Sequence, residues 1–259
     1  MIFTFYKYQG TGNDFVVLDN RSNTFLKKKQ IIAHLCDRRL GVGGDGLMLL
    51  QNKSGYDFEM VYFNADGNPS SFCGNGSRCL THFANHLGLI KNNKVSFFAS
   101  DGEHEAGIKN GVIRVRMRDV KSIENQLGSY ILNTGSPHYV KFIKNLSAKN
   151  MVSVGRKIRY STKYKKEGVN VNYAEQIGKT ILVRTYERGV EGETLSCGTG
   201  VTATALVAAV KGISTAINFC KISTLGGILT VHFEREKKSF KNIWLEGSVE
   251  LVYTGEISI

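Results

Sequence analysis

Two short stretches of this chain repeat one another, and each places a cysteine where a helix can begin. Cys73-Gly74-Asn75-Gly76 is matched by Cys197-Gly198-Thr199-Gly200. Fifteen residues after each cysteine stands a glycine, Gly88 and Gly212, where a helix would stop. Eleven residues before each cysteine is a tyrosine, Tyr62 and Tyr186, inside a strand-like run. About sixty residues before each lies another matching pair, Thr11-Gly12-Asn13 and Thr134-Gly135-Ser136. Matched features at matched offsets indicate a duplicated unit. Two such halves can offer two thiols to one cleft from opposite sides, an arrangement suited to adding and removing a proton on opposite faces of one carbon.

Length and composition limit the alternatives. A chain of 259 residues can bury a substantial core and fits two domains. The longest wholly apolar run is Ala205 to Val210, far short of a membrane helix. The N-terminal segment lacks the basic flank and long apolar core of a signal peptide, so the expected location is the cytoplasm. Five cysteines in a chain of this kind argue against a disulfide scaffold. There is no Cys-x-x-Cys pair, no His-x-x-x-His helix is read, and no metal is expected; Cys36, Cys79 and Cys220 read as small apolar residues. The net charge of +12 is dispersed, with short runs at Lys27–Lys29, Lys163–Lys166 and Arg235–Lys238. These read as solvated surface rather than a nucleic-acid interface, and the positive field favours an anionic substrate.

Strand-like runs dominate: Phe3 to Gln9, Phe15 to Leu18, Leu47 to Gln51, Phe58 to Phe63, Val95 to Phe98, Glu103 to Ile108 and Val112 to Met117. Gln30 to Leu40 reads as a helix. After Cys73, Leu80, Phe83, Ala84 and Leu87 form one stripe of an amphipathic helix. The plan then repeats with strands at Ser129 to Thr134, Tyr139 to Phe142, Val169 to Ala174 and Ile181 to Tyr186, followed by a helix from Cys197. Val201 to Val210 is apolar almost all round, so that helix must be buried. Strands at His232 to Phe233, Trp244 to Val252 and Tyr253 to Ile257 close the chain. The fold class is α+β: two similar domains, each a curled mixed β-sheet barrel around a central helix, with the active site in the cleft between them. The expected domains are 1–118, joined by the strand 251–259, and 119–250.

Gly41-Val42-Gly43-Gly44-Asp45-Gly46 matches a dinucleotide-binding fingerprint in letters only. That fingerprint needs a strand before it and a helix after it; here the order is reversed, and the segment reads as a tight turn. The chemistry lies with the two cysteines. A helix N-terminus favours the thiolate over the thiol. The N–H groups of Gly74, Asn75, Gly198 and Thr199 can hold a carboxylate and the charge that spreads into it when an α-proton leaves. One thiolate takes the proton while the opposite thiol returns one. No pyridoxal phosphate or other cofactor is required.

The segments Gly12-Asn13-Asp14-Phe15, Phe63 to Gly67, Cys73 to Cys79, Gly135-Ser136-Pro137-His138, Tyr186-Glu187-Arg188-Gly189 and Cys197 to Gly200 together resemble the diaminopimelate epimerase family, in family order and over almost the whole chain. The resemblance implies a fold shared with proline racemases and phenazine-pathway isomerases, and interconversion of LL- and meso-2,6-diaminoheptanedioate by a homodimer. It implies that Cys73 donates and Cys197 accepts a proton in the LL-to-meso direction. Asn13, Asn64 and Asn170 match substrate-binding asparagines, and Glu187 and Arg188 match the pair that reads the distal end. A guanidinium forking onto the distal carboxylate suits that role. Asp14 and Asp66 read as scaffold and turn residues, and His138 as structural support. Two positions depart from the family pattern: Gly46 stands where many members carry glutamine, and Ser136 where many carry asparagine. Both would contact substrate. Two other readings remain: a related two-thiol racemase acting on another amino acid, which would leave Arg188 without a distal carboxylate, and a non-enzymatic module that captures an amino-acid carboxylate.

Overall fold

In the computed structural model, which describes residues 1–70 and 72–259, the chain separates into two units, residues 1–115 with 247–259, and residues 116–246. The first contains β1 (Ile2–Gly10), β2 (Asn13–Asp19), α1 (Lys29–Cys36), β3 (Gly46–Gln51), β4 (Phe58–Asn64), α2 (Gly74–His86), β5 (Lys94–Ala99), β6 (Gly102–Lys109) and β7 (Val112–Arg116). The second contains β8 (Glu124–Gln126), β9 (Ser129–Asn133), β10 (Pro137–Phe142), α3 (Met151–Arg159), β11 (Asn170–Ile177), β12 (Thr180–Glu187), β13 (Gly192–Thr194), α4 (Gly198–Val210), β14 (Phe219–Thr224), β15 (Gly227–Glu236) and β16 (Ser239–Gly247). The last strand, β17 (Glu250–Ser258), rejoins the first unit and pairs antiparallel with β1.

The repeat read in the sequence is a repeat of topology. In the first unit β17–β1 and β1–β2 are antiparallel, β2–β3 parallel, β3–β4 antiparallel, β4–β5 parallel and β5–β6 antiparallel. In the second unit β8–β9, β9–β10, β10–β11, β11–β12, β12–β14 and β14–β15 follow the same sequence of senses. The two helices that follow the cysteines also match. Each spans thirteen residues, and Gly88 and Gly212 beyond them share a left-handed φ of 71°.

Each central helix is covered by its own sheet. In the first unit α2 packs on β1, β2, β3 and β4. There β3 is buried at all six positions, because α1 covers one face while α2 covers the other. Leu47 and Leu49 join Ile32 and Leu35 of α1 in one cluster, while Met48 reaches Gly76 of α2. In the second unit α4 packs on β9, β10, β11, β12, β14 and β15, so the sheet wraps it. Its lack of a polar face follows: ten consecutive residues, Gly200 to Ala209, are buried. The hydroxyls that this buries bond back one turn, Thr202 to Gly198 O at 2.9 Å and Thr204 to Gly200 O at 2.8 Å.

Several features differ from the sequence expectation, the unread short strands β8 and β13 among them. The first helix ends at Cys36 rather than Leu40, because the Asp37 carboxylate accepts from the backbone N–H of Arg39 and Leu40, both at 2.7 Å, and turns the chain out. Helix α3 was not read, although Met151, Val154, Gly155 and Ile158 fall at i, i+3, i+4 and i+7; Met151 and Gly155 are buried, and Ile158 packs against the cluster of Val169, Val171 and Tyr186. Gly155 lets it approach closely, since a Cβ there would lie 2.3 Å from Tyr186 Cβ. Strand β14 was also missed. The run Trp244 to Val252 is not one strand; it breaks at residues 248–249, just after the chain has passed from the second unit back to the first.

Candidate active site

In the first unit a tight hairpin places Asn13. Thr11 and Gly12 both take left-handed φ, 53° and 82°, the pair of values that a two-residue turn between twisted strands demands. Asn13 Oδ1 then lies 3.7 Å from Cys73 Sγ and accepts from Asn75 Nδ2 at 3.3 Å. Cys73 is the N-cap of α2, in extended conformation, and its sulfur accepts from the Gly76 N–H at 3.5 Å. Asn13, Cys73, Gly74 and Asn75 are thus brought together at one helix mouth.

That cluster sits on a scaffold of charges. Asn13 Nδ2 donates to Asp45 at 2.6 Å. Arg38 forks onto both Asp14 oxygens, at 2.9 and 2.6 Å, and also reaches Asp45 at 2.9 Å. Lys7 reaches Asp14 at 2.6 Å and donates to Gly43 O. Burial acts to raise the Asp14 pKa, but hydrogen bonds and charge from Arg38 and Lys7 outweigh it and hold the carboxyl at about 2. The glycine-rich segment before β3 does follow a helix and precede a strand, and it serves to aim Asp45 at Asn13. Asp45, Arg38 and Lys7 escaped the sequence reading, since nothing in their spacing links them to Cys73.

Asn64 stands exposed at the end of β4, in register with Gly46 on β3. Gly46 has no room for a side chain: a Cβ would meet Phe63 O at 2.4 Å and the Tyr62 ring at 2.6 Å. The place a glutamine would take is therefore filled by the backbone of β4 and by Tyr62. The aromatic ring of Phe15 holds Tyr62 edge-on at 6.0 Å.

In the second unit Cys197 is the N-cap of α4, in nearly the same backbone conformation as Cys73. A chain of hydroxyls leads from it. Cys197 Sγ lies 3.5 Å from Thr199 Oγ1, Thr199 Oγ1 is 3.3 Å from Ser136 Oγ, and Ser136 Oγ is 3.0 Å from His138 Nε2. Asn170 Nδ2 also donates to Ser136 Oγ at 3.0 Å, while its Oδ1 accepts from the Arg188 N–H at 2.9 Å. Burial, and then the positive Arg188, push the His138 pKa down to about 3, so its imidazole is neutral at physiological pH. Asn172 Nδ2 donates to His138 Nδ1 at 3.1 Å, which assigns the ring proton to Nε2 and points it at Ser136. With His138 and Asn170 both donating to Ser136, the Ser136 proton turns to Thr199, and that of Thr199 to the Cys197 sulfur. Asn172, two residues beyond Asn170 on the same face of β11, was missed although that spacing was legible.

Glu187 accepts from Thr194 Oγ1 at 2.8 Å. The exposed Arg188 lies across Gly168 and donates to Glu167 O at 3.0 Å. The expectation of no His-x-x-x-His helix is wrong: His82 and His86 stand four residues apart on α2. Among the described residues the pair belongs to no cluster able to hold a metal, and His82 bonds instead with the Tyr8 hydroxyl at 3.2 Å. Among the described residues no helix is long and apolar enough to cross a membrane.

The duplicated sheet-and-helix unit places the chain in a known class of fold. The structure matches a phenazine biosynthesis protein of the PhzF family from Bacillus anthracis over the whole of both chains, with TM-score 0.78 at 15% identity. It matches a hydroxyproline epimerase from Agrobacterium vitis over 100% of this chain and 93% of that one, with TM-score 0.72 at 14% identity. Those identities speak for the fold alone. Within that class the chain belongs to the diaminopimelate epimerase family, whose sequence profile matches residues 5–122 and 130–252. A diaminopimelate epimerase of Flavobacterium psychrophilum is 50% identical over 96% of this chain and 97% of its own length. That of Aquifex aeolicus is 37% identical over 98% and 97%.

Proposed function

We propose that this chain is an amino-acid epimerase that interconverts LL- and meso-2,6-diaminoheptanedioate without a cofactor, in the formation of lysine and peptidoglycan precursors. The observation that carries this reading is the pair of helix mouths, each capped by a cysteine, in a chain of this family. Cys73 and Cys197 act as the two acid–bases, one on each face of the α-carbon. For inversion one must be thiolate and the other thiol at the start of a turnover, and they exchange states by its end. The N–H groups at the start of α2 and α4 receive the α-carboxylate and the negative charge that spreads into it as the proton leaves.

The polar residues supply orientation. Asn13 and Asn75 hold substrate beside Cys73, with Asn64 at the rim. Thr199, Ser136 and Asn170 do so beside Cys197, and neutral His138 fixes the direction of their hydrogen bonds without exchanging protons itself. Arg188 pairs with the distal carboxylate, and Glu187 with the distal ammonium. The enzyme works in the cytoplasm as a homodimer.

The test is incubation of reduced protein with LL-diaminoheptanedioate in deuterium oxide, without added cofactor, followed by NMR and chiral chromatography. Meso product with deuterium at one α-carbon is expected. Folded protein with free thiols that neither exchanges nor isomerises would refute the reading, and exchange into amino acids lacking a distal carboxylate would move it to a racemase of another substrate.

A further inference from the structure

One buried charge in the first unit has no part in the reaction drawn above. Arg78 of α2 is fully buried, five residues after Cys73. Its Nη1 donates to Gly74 O at 3.3 Å and its Nη2 to Thr11 Oγ1 at 3.1 Å, while Nε has no partner and no described carboxylate pairs with it. Burial draws its pKa down to about 10, which still leaves it charged at neutral pH. A cation held out of water without a counter-ion is costly, and proteins retain one where an anion forms beside it.

The neighbours narrow down which anion that is. Cys79, next in the chain, is fully buried, and its thiol is pushed up to about 12, so it stays protonated. Of the titratable groups on the strands packed against α2, Lys7 and Asp14 engage each other, Asp19 engages Arg21, and Glu59 engages Lys53. Tyr8 is pushed up by burial and stays neutral, bonded to His82; Tyr6 and Tyr62 are the remaining phenols, and β3 carries no titratable residue. Cys73 is the group left to balance Arg78. In the second unit the same position holds a neutral residue: Thr202, five residues after Cys197, which donates to Gly198 O at 2.9 Å just as Arg78 donates to Gly74 O.

We infer that Arg78 is a positioning residue for Cys73. It clamps the first carbonyl of α2 to the turn that carries Asn13, and its uncompensated charge enlarges the thiolate fraction of Cys73 but not of Cys197. This rests on the proposed acid–base role of Cys73, yet it is testable without substrate.

The experiment reads the rate of alkylation by iodoacetamide against pH, for Cys73 in a Cys197→Ser background and for Cys197 in a Cys73→Ser background. Arg78→Gln, which keeps hydrogen-bond donors but no charge, is expected to raise the Cys73 midpoint by about one pH unit. Arg78→Lys, which keeps a cation, moves it less than half as far, and the Cys197 midpoint stays put in both. Equal Cys73 midpoints in the Gln and Lys variants, or an equal shift at Cys197, would overturn the inference. Should neither variant fold, the unsubstituted Arg78 protein still decides. A buried charge is little screened, so its Cys73 midpoint holds between low and high salt, and a marked rise with salt would assign the effect to surface charges instead. A negative result here leaves the deuterium experiment untouched, so the two readings fail separately.

Discussion

At the mouth of α2, Cys73 faces Asn13 Oδ1 at 3.7 Å, and the residue five positions on is a buried arginine; at the mouth of α4, Cys197 faces the Thr199 hydroxyl at 3.5 Å, and the residue five positions on is a threonine. The backbones agree closely: φ and ψ are −123° and 116° at Cys73, −116° and 108° at Cys197. The supports do not. The first mouth rests on ions, Lys7, Arg38, Asp14 and Asp45 under Asn13. The second rests on neutral groups, Ser136, His138, Asn170 and Asn172. Duplication kept the feature that makes a thiol useful, the helix end, and let the means of holding it diverge.

The severest test of the pairing is removal of either sulfur. Cys73→Ser and Cys197→Ser are each expected to cut kcat by about 10³-fold or more while leaving the circular dichroism spectrum unchanged, since each removes a whole acid–base partner. If one variant keeps near-normal turnover, the halves are not equivalent partners and the two-base scheme fails. Next comes the neutral chain. Thr199→Val deletes the hydroxyl that points at Cys197 and is expected to lower kcat about 10- to 100-fold, the usual worth of a hydrogen bond to a charged group. Ser136→Ala, one link further away, should cost less. A larger loss for Ser136→Ala than for Thr199→Val would show that the contact of Ser136 with substrate outweighs its place in the chain of hydroxyls.

The comparison also explains what could be read from sequence. The repeat, the two helix starts and the buried character of α4 were legible because they live in short-range spacing and composition: Cys73 and Cys197 with their glycines, and the unbroken apolar run around Val201 to Val210. The supports were not, because they are made by residues remote in the chain. Asp45 meets Asn13 and Arg38 meets Asp14 only once β2 pairs with β3. Arg78 lies within the segment Cys73 to Cys79, but its burial is invisible without the strands around α2. Helix α3 was missed although Met151, Val154 and Ile158 mark a stripe, because it is only nine residues long and a glycine, Gly155, stands at the centre of its packing face on Tyr186.

Gly46 gives a sharper version of the same lesson, since its departure from the family pattern is tied to a neighbour. Gly46→Ala forces a methyl against Phe63 O and the Tyr62 ring, and is expected to destabilise the first unit by about 1–3 kcal/mol by chemical denaturation. Adding Tyr62→Ala relieves only the ring and should restore part of that loss, because the backbone carbonyl remains. Full restoration would mean that the Tyr62 ring alone excludes a side chain from this position. No change from Gly46→Ala would mean that the strand yields easily and that glycine is not required there.

Acid should separate the two supports by pH. The His138 pKa, ordinarily 6.5, is held by burial at about 3 in the folded chain. A histidine depressed in this way binds its proton more readily when unfolded, so the second unit loses stability as pH falls below about 6.5 and down toward 3, at up to roughly 1.4 kcal/mol per pH unit. Asp14, ordinarily 3.8, is held at about 2 by Arg38 and Lys7, so the first unit loses its contribution only between about 4 and 2. Hydrogen exchange at pH 5 compared with pH 7, corrected for intrinsic rates, is therefore expected to show amides of β10, β11 and α4, around fully buried His138, losing more protection than those of β1, β2 and α2, where burial also pushes the half-buried His82 down. His138→Asn removes the titrating ring and should flatten the response of the second unit over that window. Equal loss in both units, or first loss around Asp14, would mean that the ionic support is the weaker one in acid and would reverse the contrast drawn between the two helix mouths.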